Sequence, residues 1–258
     1  MQYFDSHAHL SDPQILPQIE GVLQRSFAAG VSRILNICTD QDTFQAGQVL
    51  QERFQEVRLA AATTPHDVAR EGKELFPLFA KAAHGKQLVA IGETGLDYYY
   101  KELDRNIQKE FLKRYLHLAL ETTLPVIFHC REAFDDLFRI ADAEYAKRSP
   151  AVVHCFTGGE SEAREVLSRG WHISFSGIVT FKKSEALRAV AALVPLDHLL
   201  IETDTPYLAP QSHRGQPNEP SYLPEIAQCI AAAKQLPMEE VATATYNNAL
   251  RLFFPDSV

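Results

Sequence analysis

Two kinds of segment alternate along the chain. Short runs rich in apolar and β-branched residues occur at YFDSHAH (3–9), RILNIC (33–38), VRLAAAT (57–63), QLVAIGE (87–93), PVIFHC (125–130), AVVHCF (151–156), WHISFS (171–176) and LLIETD (199–204). Their length and composition predict strands. Between them lie longer segments with apolar positions spaced for a helix. The clearest is NIQKEFLKRYLHLALETT (106–123), where Phe111, Tyr115, Leu118 and Leu120 recur with a period near 3.6. Further helices are predicted over 14–29, 41–54, 66–83, 132–147, 160–169, 183–193 and 222–236. Regular strand–helix alternation implies a parallel sheet. Eight such units in a chain of 258 residues match a closed (β/α)8 TIM barrel. A doubly wound open sheet would carry a Gly-rich turn after its first strand, and HLSDP is not one. No linker or low-complexity tract interrupts the pattern, so residues 1–258 read as a single barrel domain. The last helical stretch, 238–253, is expected to close the bottom or side of the barrel.

The predicted strands carry chemistry at their ends. In FDSHAHLSD, Asp5, His7 and His9 occupy alternate positions, which on a strand share one face. His7 and His9 then stand ~6–7 Å apart along the strand, and rings splayed toward one point can hold a cation. A pair of buried, hydrogen-bonded histidines would give the same pattern. The other strands shift the balance. Glu93 ends the fourth predicted strand, His129 the fifth, His154 the sixth and Asp204 the eighth. In a barrel these ends converge on the face that holds the active site. Four histidines and two acids exceed the needs of one ion, so two divalent cations bridged by Glu93 are expected, with Asp204 binding one and accepting a proton from the attacking water. Mixed nitrogen and oxygen donors suit zinc, manganese, cobalt or nickel better than calcium, and magnesium fits with added waters.

Composition narrows the function classes. A net charge of -8 argues against broad electrostatic gripping of duplex nucleic acid, although a local cutting site needs no such surface. Four cysteines without CxxC spacing read as reduced thiols. The start, MQYFDSHAHL, lacks a basic leader and an apolar run, and no segment is apolar enough to span a membrane, so a cytoplasmic protein is expected.

Taken together, FDSHAHL, IGETGLDYY, LPVIFHCREA, VVHCFTG, ISFSGIVTFK, LLIETDTPYLAP and RGQPNEP closely resemble the TatD family of metal-dependent deoxyribonucleases, within the amidohydrolase-like barrels. The resemblance runs over almost the whole chain. It implies a metal-dependent 3′–5′ exonuclease acting on DNA. It also implies that His7, His9, Glu93 and Asp204 hold one metal and that Glu93, His129 and His154 hold the other. One departure is visible. Members commonly carry G-x-H-P-H after strand three, whereas this chain reads ATTPHDV at 62–68, which puts Thr64 at the first histidine position and His66 at the second.

Other polar residues are assigned around this core. Asp5 and Glu202 are expected to orient the ligands or a water from behind, or to form an interior polar pair. Arg131, Arg214 and His66 are expected to contact substrate, Arg214 foremost because a guanidinium can fork two phosphate oxygens. Lys101, Lys182 and Lys183 fall in comparable loops, where they could draw in phosphate or be solvated; Lys182 and Lys183 read as solvated, and Tyr98, Tyr99 and Tyr100 as loop packing or a base-stacking surface. Cys130 and Cys155 are expected to face the helices. The expected substrate is single-stranded or frayed DNA. Amide or ester hydrolysis is a rival activity; many relatives that perform it bridge their metals with a strand-four lysine, and this chain has Glu93 there. A non-catalytic metal-binding barrel is the remaining alternative.

Overall fold

The computed structural model describes residues 1–145 and 149–255. Its eight parallel strands are β1 (Tyr3–Ala8), β2 (Val31–Cys38), β3 (Val57–Ala61), β4 (Ala90–Asp97), β5 (Val126–Arg131), β6 (Ala151–Val153), β7 (His172–Phe175) and β8 (Leu199–Ile201). They pair in sequential order, as right-handed βα units require. The seam between β8 and β1 is joined just beyond β8. There Asp204 N–H donates to the His7 carbonyl at 2.9 Å and His9 N–H to the Thr205 carbonyl at 2.7 Å.

Helices follow the strands: α1 (Ile19–Ala28), α2 (Gln41–Arg53), α3 (Val68–His84), α4 (Arg105–Thr122), α5 (Phe134–Glu144), α6 (Glu160–Ser168), α7 (Glu185–Leu193), α8 (Leu223–Lys234) and α9 (Met238–Phe253). Their starts are chemically marked. Asp40 caps α2 by accepting from Thr43 N–H, and Asp104 caps α4 by accepting from Asn106 and Ile107 N–H. On α4 the buried face holds Phe111, Leu112, Tyr115 and Leu118, whereas Leu120 is exposed. The predicted end of the fifth helix at 147 lies outside the described residues.

Two apolar layers result. One lies between strands and helices. The other fills the barrel with Phe4, Leu35, Ile127, Val152 and Leu200, and is capped by Ala249, Leu252 and Phe253 of α9. Helix α9 therefore plugs the N-terminal end, and the opposite mouth is left to polar side chains.

Two strands depart from simple alternation. The fourth strand runs on to Asp97, so Glu93 lies within β4, beside a register shift between Ile91 and Thr94. Gly95 permits this extension, because a Cβ there would sit 1.9 Å from the His129 carbonyl oxygen. In β1 the register shifts between Asp5 and Ala8. As a result Asp5 turns sideways into the seam, where its carboxylate accepts the Thr203 N–H at 2.9 Å and hydroxyl at 2.5 Å.

Candidate metal centre

The polar mouth encloses a cavity of about 640 Å³. At its floor the register shifts of β1 and β4, and the turn after β8, bring six side chains together. Asp204 adopts a left-handed conformation, φ 62°, which aspartate tolerates better than most residues. Its Oδ1 lies 3.6 Å from His7 Nε2 and 3.5 Å from His9 Nε2. On the other side Glu93 Oε2 is 2.7 Å from His154 Nε2 and 3.8 Å from His129 Nδ1. The same oxygen is 3.6 Å from His7 Nε2, so Glu93 touches both groups. Within the groups, His7 and His9 Nε2 are 3.3 Å apart, and His129 Nδ1 and His154 Nε2 are 3.4 Å apart.

These spacings fit a cation better than a hydrogen-bonded network. Bonds of ~2.0–2.1 Å arranged tetrahedrally put donor atoms about 3.3 Å apart. Imidazole nitrogens facing one another at that distance need a shared proton or a shared ion. His7–His9–Asp204 and Glu93–His129–His154 each bring three donor atoms within 4.8 Å of one another.

Burial would raise the Glu93 carboxyl, but the charge of His154 and hydrogen bonds from His129 and His154 hold it well below the usual range. Burial would lower His154, yet Glu93 and Glu202 lift it well above an ordinary imidazole. His9 and His129 are also raised against their burial, by Asp204 and Glu93 in the first case and by Asp97 and Glu93 in the second. His7 goes the other way, lowered by burial and by His154. These opposed shifts mark strong coupling among the six groups, and a metal would bind the neutral histidines and release their protons.

A second layer holds these groups. Glu202, fully buried, accepts Cys155 N–H at 2.7 Å and lies 3.3 Å from His154 Nδ1. Among the described residues its other oxygen and His7 Nδ1 are buried with no hydrogen-bond partner. Asp5 acts on backbone, accepting the His7 and Thr203 N–H groups. Asp97 lies 3.0 Å from His129 Nε2 and 2.9 Å from His66 Nε2. Although burial opposes it, hydrogen bonds from His129 and His66 hold the Asp97 carboxyl well below its ordinary value. Asp97 escaped sequence reasoning because the fourth strand was ended too early. The signal was present: Asp97 is four residues after Glu93 and shares its face.

Among the expected substrate contacts, Arg131 and His66 line the cavity and Arg214 does not. The Arg131 guanidinium lies 3.6 Å from the Tyr99 ring centroid, whereas Arg214 covers Phe181 at 4.2 Å. Thr64 lines the wall and donates to Asp67 at 2.9 Å. Tyr98 turns away to Asp136 and Arg105, while Tyr100 borders the cavity. Lys101, Lys182 and Lys183 lie outside the cavity lining. Cys130 packs into the core while also bordering the cavity, and Cys155 does not face the helices as expected. Its positive φ of 45° turns it to the cavity wall, with Sγ 3.2 Å from Ser176 Oγ. Tyr207, in the DTPY turn, also lines the mouth and was not singled out from sequence.

The family model described as TatD related DNase matches residues 4–254. The chain is 38% identical over 250 residues to the uncharacterized metal-dependent hydrolase YabD of Bacillus subtilis, covering 97% of this chain and 98% of the relative. It is 34% identical over 255 residues to the 3′-5′ ssDNA/RNA exonuclease TatD of Citrobacter rodentium, covering 97% of each. Among solved structures, the TatD homologue YJJV from Escherichia coli K12 superposes with a TM-score of 0.92 at 30% identity, covering 97% of each chain.

Proposed function

The chain belongs to the TatD-related DNase family of metal-dependent hydrolases, and from that premise we propose that it trims single-stranded or frayed DNA from the 3′ end with two divalent cations. The observation that carries this reading is Glu93 Oε2, which lies within 3.8 Å of a histidine from each donor group. A carboxylate so placed suits a bridge. His7, His9 and Asp204 would hold one ion with Glu93; His129 and His154 would hold the other. Such ions, when bound, supply Lewis-acid stabilisation of phosphoryl charge and a more acidic water.

The remaining roles fall to the chain itself. Asp204 Oδ1 faces the cavity floor between His7 and His9 and is placed to accept the proton of the attacking water. Arg131 would steady a phosphate, its guanidinium carbon 3.6 Å from the Tyr99 ring centroid. Tyr100 and Tyr207 border the cavity with 41% and 46% of their surfaces exposed. Exposed rings at a nucleolytic mouth offer stacking surfaces for unpaired bases, which supports a single-stranded substrate. The Citrobacter relative's name points the same way and includes RNA.

The test begins with metal-free protein refilled with manganese or zinc. Metal analysis should approach two ions per chain, and a 5′-labelled single strand should give a ladder shortening from its 3′ end. A firm ceiling of one ion would exclude the bridged pair, and a labelled strand left whole at full loading would exclude the nuclease reading.

A further inference from the structure

We infer that Asp97 is a positioning residue that fixes the ring orientation and tautomer of His129, so that Nδ1 rather than Nε2 meets the second ion, and that the same oxygen ties down His66 on the substrate wall. The inference rests on the two-metal reading above. His7, His9 and His154 each present Nε2 to the centre; His129 alone of the four presents Nδ1, which lies 3.4 Å from His154 Nε2. Its Nε2 points the other way, 3.0 Å from Asp97 Oδ2.

The chemistry of the pair fixes the proton. An ionised carboxylate only accepts, so the nitrogen facing it must carry hydrogen. A neutral imidazole has one N–H, which leaves the Nδ1 lone pair free for an ion. His66 Nε2 meets the same oxygen at 2.9 Å, so one carboxylate oxygen takes two imidazole N–H groups. Asp97 is itself held rigidly. It is 1% exposed, its Oδ1 accepts Tyr99 N–H at 3.0 Å, and the side chain of Gln108 bonds its backbone on both sides, at 2.9 and 3.1 Å. Gln108 is 1% exposed and belongs to α4, so a buried amide on the outer helix fixes an inner ligand. Outer partners of metal-bound histidines typically contribute ~10–100-fold to metal affinity.

The experiment compares wild type, Asp97→Ala, Asp97→Asn and His66→Phe by zinc calorimetry and by nitrogen–proton correlation of the histidine rings. Wild type should show a His129 Nε2–H signal both zinc-loaded and, metal-free, at alkaline pH. Asp97→Ala should lose that signal and weaken the second zinc ~10–100-fold while leaving the first unchanged. Asp97→Asn should keep the fold if the alanine variant does not, and should weaken the second zinc because its amide carries no charge. His66→Phe should leave both affinities as they are. Equal affinities in wild type and both Asp97 variants, or equal loss of both ions, would overturn the inference. Absence of a second zinc in wild type would instead overturn the two-metal reading, and the alkaline ring signal would still judge Asp97.

Discussion

Asp204 shows how much one side chain is asked to do. Its Oδ1 lies near both His7 and His9, and its backbone N–H closes the barrel seam through the His7 carbonyl. Asparagine also tolerates φ 62°, so Asp204→Asn removes the charge and leaves the turn intact. Loss of a general base typically lowers rate by ~100- to 10,000-fold, and loss of a ligand adds to it. Hydrolysis by Asp204→Asn should therefore vanish with little change in melting temperature; if the variant kept most of its activity, another group would be the base. The six clustered residues were legible in the sequence because their types are unusual at strand ends and because spacing by two predicts a shared face. Their supports were less legible. Asp5 reaches across the seam to residue 203, a contact no local pattern encodes, and Cys155 turns inward only because its φ is positive. By residue type Arg214 is the foremost phosphate candidate, yet loop geometry lays it on Phe181, outside the cavity lining.

Strands and helices were legible where periodicity ruled and blurred where backbone approach ruled. β4 is the instructive case, since its length depends on Gly95 pairing closely with His129. An added methyl at Gly95 would meet the His129 carbonyl at 1.9 Å, and backbone cannot rotate aside as a side chain can. Gly95→Ala should cost about 1–3 kcal/mol or more and, by pushing β5 outward, reduce metal occupancy. Thermal melting together with a metal count would show this; a variant as stable and as fully loaded as wild type would refute the constraint. β7 carries a second consequence. His172 at its start has a buried Nδ1 without a partner, and burial, with His198 nearby, lowers its pKa to about 4. An unfolded chain binds a proton near pH 6.5 that the folded chain declines. Stability is then full above pH 6.5 and falls as pH drops toward 4, with about 2 kcal/mol lost by pH 5. Urea unfolding at pH 7.5 and pH 5 should show a smaller fall for His172→Gln than for wild type, and equal falls would assign the effect elsewhere.

At the scale of the whole molecule, charge and shape would decide which form of nucleic acid the proposed nuclease can attack. The net charge is -8, and among the described residues lining the cavity Arg131 is the one lysine or arginine, beside the acids Asp12, Asp40 and Asp67 in the same lining. Duplex binding draws on many phosphate contacts, each releasing counterions, and this surface offers few. Opening a duplex also costs a few kcal/mol per nucleotide for unstacking. A cavity of about 640 Å³ is the size of a small-ligand site, enough for a nucleotide or two at a strand end. On that reading the exposed rings of Tyr100 and Tyr207 would meet bases that are already unpaired. On the proposed nuclease reading, the expected outcome is end-directed trimming of single strands and frayed ends, with slow action on blunt duplex and none on a closed circle. Few phosphate contacts also mean a shallow salt dependence, on the order of one contact's worth of slope. The decisive comparison sets a linear single strand, the same strand annealed, and a circular single strand side by side at equal metal loading. The linear strand should shorten from its 3′ end, the annealed strand should lag, and the circle should stay whole; rapid nicking of the circle would mean that the mouth admits an internal phosphodiester, and the end-directed reading would fall.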